Sequence, residues 1–134
     1  MTIPASRYLI DSSILIPYIR QNQSIVARLN ALSNAYISPT IIAEIAYGAL
    51  RSRNPSHGMQ QVNNIVSQMP TVGINQGIGF AFATIKNNLV MRNQLIPDSD
   101  IWIAVTAIAY GMTLVARDAH FTRVVPYGLT FTQW

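Results

Sequence analysis

Along the chain, short apolar runs alternate with longer stretches in which apolar residues recur every three to four positions. Brief apolar runs rich in β-branched and aromatic residues are typical of buried strands, whereas the three-to-four spacing predicts amphipathic helices. On this basis, strands are predicted at residues 8–10, 36–37, 71–74 and 112–115, with a fifth at 129–131. Helices are predicted at residues 14–20, 24–32, 41–50, 57–69, 78–90 and from 98 or 99 to 110.

Residues that favour helix ends support these boundaries. Ser12 or Ser13 is expected to cap the first helix, and Ser38 followed by Pro39 is a favourable start for the third. Gly111 suits the end of the last helix. Short strands that alternate with helices predict an α/β sandwich, with a short, mostly parallel sheet of four to five strands flanked by helices. We expect residues 1–134 to form one domain.

The low content of charged residues and the positive net charge indicate what the surface of the protein contacts. Only 10% of the residues are charged while half are hydrophobic, so we expect part of the surface to be buried against a second copy or another protein. The net charge of +4, with few acidic residues, leaves a positive surface that suits a polyanion such as RNA.

The absence of cysteine and the N-terminal sequence help to predict the cellular location of the protein. The chain has no cysteine, which excludes disulfides and zinc–thiolate sites and fits a reducing cytoplasm. Residues 1–7 lack the basic-then-apolar order of a signal peptide. The uncharged stretch 101–116 is shorter than the ~20 residues that a membrane span needs. We therefore expect a cytoplasmic protein with no membrane association.

The chain has five acidic residues, and each stands near the end of a predicted element: Asp11, Glu44, Asp98, Asp100 and Asp118. Asp11 and Asp118 follow two predicted strands, and parallel sheets bind ligands beyond the carboxyl ends of their strands. Glu44 is the only charged residue in an otherwise apolar helix, where an unpaired carboxylate would be costly. Helix capping is the alternative explanation for Asp98 and Asp100, and an Asx-turn for Asp11.

Carboxylates that converge at one edge would repel each other by about 4 kcal/mol per pair at ~4 Å and an effective dielectric near 20. The only arginine adjacent in sequence to one of them is Arg117, next to Asp118. A bound divalent cation would relieve the repulsion, and all-oxygen ligands favour Mg²⁺ or Mn²⁺ over zinc.

Four segments in order carry a resemblance to a known family: LIDSSILI at 9–16, ISPTIIAEI at 37–45, PDSDIWIA at 97–104 and LVARDAHF at 114–121. The chain resembles the PIN-domain nucleases and, among them, the VapC-type toxin ribonucleases. The resemblance implies a metal-dependent endoribonuclease in which metal-activated water cleaves RNA and leaves a 5′-phosphate and a 3′-hydroxyl. It further implies a cognate antitoxin and a homodimer. Its catalytic and metal-binding residues would be Asp11, Glu44, Asp100 and Asp118, with Mg²⁺ or Mn²⁺ as the cofactor.

Several residues near these motifs have candidate roles beside the four carboxylates. Asp98 is an additional acid that many relatives lack, and we interpret it as a cap, an outer contact or a further metal ligand. Ala116 stands where the family usually carries a hydroxyl residue. Ser12 and Ser13 are candidates to orient Asp11 or the substrate phosphate. Arg117 is a candidate to contact RNA or to screen the acids. We interpret His120 as a turn or packing residue.

Two other classes compete with the nuclease. A catalytically weak or inactive PIN-like module that binds RNA or protein is the main alternative, and Ala116 leaves room for it. A receiver-type signalling domain would need a pair of acids at the first strand and a late lysine, but the single lysine, Lys86, falls inside a predicted helix.

Overall fold

A computed structural model describes residues 5–134. Its four strands form one parallel sheet in the order β2-β1-β3-β4, which confirms the predicted α/β class and mostly parallel sheet. The strands are β1 (Tyr8–Ile10), β2 (Ala35–Tyr36), β3 (Thr113–Ala116) and β4 (Thr130–Gln133). The helices are α1 (Ser12–Ile19), α2 (Gln23–Asn30), α3 (Pro39–Leu50), α4 (Pro55–Gln68), α5 (Gln76–Met91) and α6 (Asp98–Tyr110). A 3₁₀ segment, Ala119–Tyr127, connects β3 to β4.

Local sequence signals explain most of the helix boundaries. The Ser38 hydroxyl accepts a hydrogen bond from the Ile41 N–H, and Pro39 occupies the start of α3 as predicted. Asparagine side chains cap the starts of α2, α4 and α5 in the same way. Gly111 ends α6 with φ +64°, a left-handed conformation that glycine adopts at little cost.

Three local predictions were wrong. Residues 71–74 do not form a strand. Thr71 makes one isolated parallel bridge to Ile37, in which the Pro70 carbonyl accepts the Ile37 N–H and the Val72 N–H donates to the Ile37 carbonyl. The cap of α1 is Asp11, whose carboxylate accepts the Ser13 N–H, so neither Ser12 nor Ser13 caps this helix. Finally, α6 starts after Pro97 with no side-chain cap, so Asp98 is not a cap.

The core lies between the sheet and the helices that flank it. The central strands β1 and β3 are mostly apolar and buried, and so is most of α6 from Ile101 to Ala107, where Trp102 is partly exposed. The charges of α6 are confined to its first turn, so the helix can be buried while Asp100 stays at its open end. Over residues 5–134, no helix is long and apolar enough to cross a membrane. The expectation that the N-terminus is not a signal peptide involves residues 1–4, which lie outside the described residues.

The strand order places a ligand-binding position beside β1. The chain passes from β1 to β2 on one side and returns to β3 on the other, so β1 and β3 are neighbours at a topological switch point. They pair in parallel, with Ile10 opposite Val115, and the Asp11 N–H continues the ladder to the Val115 carbonyl at 3.0 Å. The carboxyl ends of both strands therefore meet at one edge of the sheet.

Candidate active site

Asp11 is the most buried acid of this edge. It is the first residue after β1, and only 2% of it is exposed. Its Oδ2 atom accepts hydrogen bonds from the Ser13 hydroxyl at 2.6 Å and from the Ser13 N–H at 3.1 Å. Its Oδ1 atom is buried and has no hydrogen-bond partner among residues 5–134. Buried polar atoms are nearly always satisfied, so this oxygen needs a water, a proton or a cation as its partner.

Ser13 connects the ends of β1 and β3. Its hydroxyl donates to Asp11 and accepts a hydrogen bond of 3.0 Å from the Arg117 N–H, which is the first backbone group after β3. This hydroxyl therefore joins Asp11 to the strand end that leads into Asp118. Ala116, at the position where the resemblance implied a hydroxyl residue, is fully buried in β3, and the Ser13 hydroxyl accepts a hydrogen bond from the next residue.

Glu44 reaches the same edge from the second turn of α3. Ser12, which is 9% exposed, donates its hydroxyl hydrogen to Glu44 Oε1 at 3.3 Å. Helix α3 packs against both α1, which Asp11 caps, and α6, which carries Asp100. The two serines that were expected to cap α1 thus contact two carboxylates instead.

Asp100 lies in the first turn of α6 and pairs with His120. Its Oδ2 atom is 2.7 Å from His120 Nε2, and the Asp100 side chain is 13% exposed. The sequence prediction missed this contact, since it treated His120 as a turn or packing residue. The spacing gave no signal, because the two residues lie 20 positions apart on different elements.

The remaining two acids are more exposed. Asp118 precedes the 3₁₀ segment and makes no capping hydrogen bond there. Asp98 forms a salt bridge of 2.9 Å with Lys86, and 57% of its side chain is exposed. Asp98 therefore faces a surface lysine of α5, and the charges that perturb Asp11, Glu44 and Asp100 do not include it. Within the described chain, Arg117 forms no salt bridge with any of the acids.

The four predicted site carboxylates interact electrostatically. Burial and the charges of Asp11 and Asp100, with a smaller contribution from Asp118, raise the pKa of Glu44 from its ordinary 4.5 to about 7. Burial also raises the pKa of Asp11, although the Ser13 hydrogen bonds oppose it and the Asp100 charge adds to it. Burial raises the pKa of Asp100 too, against the hydrogen bond and charge of His120. Uncompensated negative charge is thus concentrated at this edge.

The donor set suits a hard divalent cation. It consists of carboxylate oxygens, and Asp11 Oδ1 is a buried oxygen without a partner. Among residues 5–134, however, no three acidic or histidine side chains are arranged as a closed metal cage. Mutual repulsion favours such a separation, and Mg²⁺ needs only one or two protein carboxylates because it retains several waters. The residues present therefore fit a partly hydrated cation.

Carboxylates at the switch point of a parallel sheet are typical of proteins that bind a divalent cation for phosphate-ester chemistry. The PIN domain family model matches residues 8–125, and the chain belongs to the PIN-domain family. This assignment confirms the resemblance drawn from the four sequence segments.

Curated relatives are similar over most of their length. The chain is 32% identical over 126 residues to Ribonuclease VapC1 of Methanocaldococcus jannaschii, covering 92% of this chain and 85% of the relative. It is 28% identical over 122 residues to Ribonuclease VapC2 of Haemophilus influenzae, covering 89% and 92%. These matches place the chain beside the VapC group of PIN-domain proteins.

Solved structures share the fold. DNA-bound VapBC from Salmonella typhimurium has a TM-score of 0.87 at 22% identity, covering 97% of this chain and 99% of that one. VapBC2 from Rickettsia felis, bound to a DNA fragment from its promoter, has a TM-score of 0.86 at 22% identity, covering 95% and 98%. The four-stranded parallel sheet and its flanking helices are therefore those of known PIN-domain structures.

Proposed function

We propose that this chain is a metal-dependent endoribonuclease and the toxin of a VapBC-type toxin–antitoxin pair. The ribonuclease assignment rests on family membership and on the curated VapC relatives. The observation that carries the metal dependence is the buried, unpartnered Oδ1 atom of Asp11, which lies among carboxylates that raise one another's pKa. A bound divalent cation would compensate this charge at neutral pH and leave the carboxylates ionised.

The proposed ligands are Asp11, Glu44, Asp100 and Asp118, acting directly or through water, with Mg²⁺ or Mn²⁺ as the ion. When bound, such an ion would supply positive charge for a phosphodiester and a water of lowered pKa. Ser13 and Ser12 would hold Asp11 and Glu44 in place through their hydroxyl hydrogen bonds. Asp98, paired with Lys86, is left out of this set.

Cleavage of RNA by the purified protein tests the enzyme and its cofactor together. We expect cleavage with Mg²⁺ or Mn²⁺ and none in excess EDTA, with activity restored when the ion is added back. Asp11→Asn and Asp100→Asn should each abolish cleavage while the circular dichroism spectrum is unchanged. Cleavage that persists in EDTA would exclude the metal mechanism. A folded, metal-loaded protein that never cleaves RNA would instead support the inactive binding module.

We also propose two protein partners, an antitoxin and a second copy of the chain. The related structures named above are VapBC complexes, and the exposed apolar residues of α5 give this chain a surface suited to a partner. Phe80 is 70% exposed and Met91 is 74% exposed. Light scattering during size exclusion should show a dimer, and a soluble monomer would refute the homodimer. A small neighbouring open reading frame, when co-expressed, should yield a protein that co-purifies with the chain and blocks cleavage.

A further inference from the structure

His120 makes one short contact to the proposed active site, and its position is fixed by the core. The residue after it, Phe121, is fully buried and packs against Phe131 of β4, with 5.8 Å between the ring centroids. The His120 ring is tilted against Phe121 at 5.1 Å. The imidazole is therefore held over the start of α6 by a buried neighbour, while 30% of its own side chain remains exposed.

The contact uses one nitrogen of the ring and one oxygen of the carboxylate. His120 Nε2 and Asp100 Oδ2 are 2.7 Å apart, a distance typical of a charge-assisted hydrogen bond. An ionised carboxylate only accepts, so the ring must donate through Nε2–H. No other hydrogen bond involves the Asp100 carboxylate among the residues described, which leaves Oδ1 available. The other three proposed ligands do not contact the histidine in this way.

We propose that His120 is a positioning residue, which holds the Asp100 carboxylate in one orientation by donating to Oδ2 and so reserves Oδ1 for the cation or one of its waters. The inference rests on the proposed function, since it concerns the metal site described there. Hydrogen bonds of this kind to ligating groups are worth about 10- to 100-fold in metal affinity. His120 itself is not a ligand in this proposal, and it does not contact the substrate.

A purely structural role is the competing explanation, because the same contact also ties the 3₁₀ segment to α6. The two roles differ in what they affect. A structural tie contributes to the melting temperature in the absence of metal, whereas a positioning residue contributes to cation affinity. The chemical requirement also differs, since positioning needs an N–H donor at the place of Nε2. Glutamine can present a side-chain amide N–H near that place, and alanine cannot.

The test measures Mn²⁺ binding to the full chain by isothermal titration calorimetry, for wild type, His120→Gln and His120→Ala. We expect Mn²⁺ affinity to fall about 10- to 100-fold in His120→Ala and to stay within about 3-fold of wild type in His120→Gln. His57→Gln makes the same chemical change in α4 and should leave the affinity unaltered. Melting temperatures in EDTA are recorded for all four proteins.

Several results would overturn the proposal. Unchanged Mn²⁺ affinity in His120→Ala would show that the contact is only structural, particularly with a lowered melting temperature in EDTA. Equal losses in the alanine and glutamine variants would exclude the role of an N–H donor. If wild-type protein itself binds no Mn²⁺, the proposed metal dependence fails first, which separates the two ideas. In steady-state cleavage at limiting Mn²⁺, His120→Ala should lower kcat without raising the KM for RNA, and a raised KM would indicate a substrate contact instead.

Discussion

Replacing Glu44 with glutamine removes one charge from the acidic edge and leaves its shape nearly unchanged. The amide keeps an oxygen that can accept the Ser12 hydroxyl hydrogen, so the hydrogen bond to α1 can survive. The substitution therefore isolates the electrostatic cost of gathering the acids. In the absence of a cation, we expect Glu44→Gln to be more stable than wild type at pH 8 and similar to it near pH 4.5.

The sign follows from the raised pKa of Glu44. The folded protein holds this proton up to about pH 7, whereas the unfolded chain releases it near 4.5. The associated stability is complete below pH 4.5 and is lost as the pH rises to about 7 and beyond. A shift of the pKa from 4.5 to about 7 corresponds to an upper limit of about 3 kcal/mol of unfolding free energy. Because Glu44 is only half-buried, solvent screening reduces this to roughly 1–2 kcal/mol.

Urea denaturation in EDTA between pH 4.5 and 8 measures the difference. The unfolding free energy of wild type should fall across this range more steeply than that of Glu44→Gln, and the curves should separate between pH 5 and 7. Asp98→Asn serves as the control, since it removes an exposed acid of the same region that is paired with Lys86. Parallel curves for wild type and Glu44→Gln, or an equal effect of Asp98→Asn, would refute the electrostatic account of this edge.

Two further predictions concern the same carboxylates. Saturating Mg²⁺ or Mn²⁺ should raise the melting temperature of wild type at pH 8 and should do so far less in Asp11→Asn, because a ligand that binds only the folded state stabilises it; equal shifts in both proteins would place the cation elsewhere. Ser13→Ala should cost about 1–3 kcal/mol of unfolding free energy, because Asp11 loses one donor and the Arg117 N–H loses its acceptor. Ser13→Thr, which keeps the hydroxyl, should restore most of that loss in urea denaturation, and a failure to restore it would show that the hydroxyl is not responsible.

The periodic pattern predicted the elements well where local chemistry is decisive. The strand at Tyr8–Ile10 and the helix start at Ser38 and Pro39 were predicted at the observed positions, because burial and capping act over a few residues. The strand predicted at residues 71–74 was wrong. Their apolar character fits a strand, but a strand needs a partner with free backbone groups, and among residues 5–134 only Ile37 pairs with this segment.

For the acidic residues too, the sequence predicted their common location but not their contacts. Their scarcity and their places after strands and at helix starts indicated a shared edge from sequence alone. The contacts between them came from elsewhere in the fold. Asp11 caps α1, and the Ser13 hydroxyl accepts a hydrogen bond from the Arg117 N–H at the end of β3. His120 contacts Asp100, which lies 20 positions before it in the sequence. Neither the Ser13–Arg117 contact nor the His120–Asp100 contact follows from spacing, because each joins residues on separate elements whose relative position depends on packing.

The sequence by itself determined the α/β class, the family and the five acidic residues that are candidates for the site, since these follow from local periodicity, from motifs that are short in sequence and from the places of the acids near element ends. Only the tertiary structure decided which acids are coupled, that Asp98 pairs with Lys86 outside the group, and which serines and histidine hold the carboxylates. The physical reason is that burial and Coulomb interactions depend on distances through space. Those distances are set by the parallel pairing of β1 with β3 and by the packing of α3 and α6 around it.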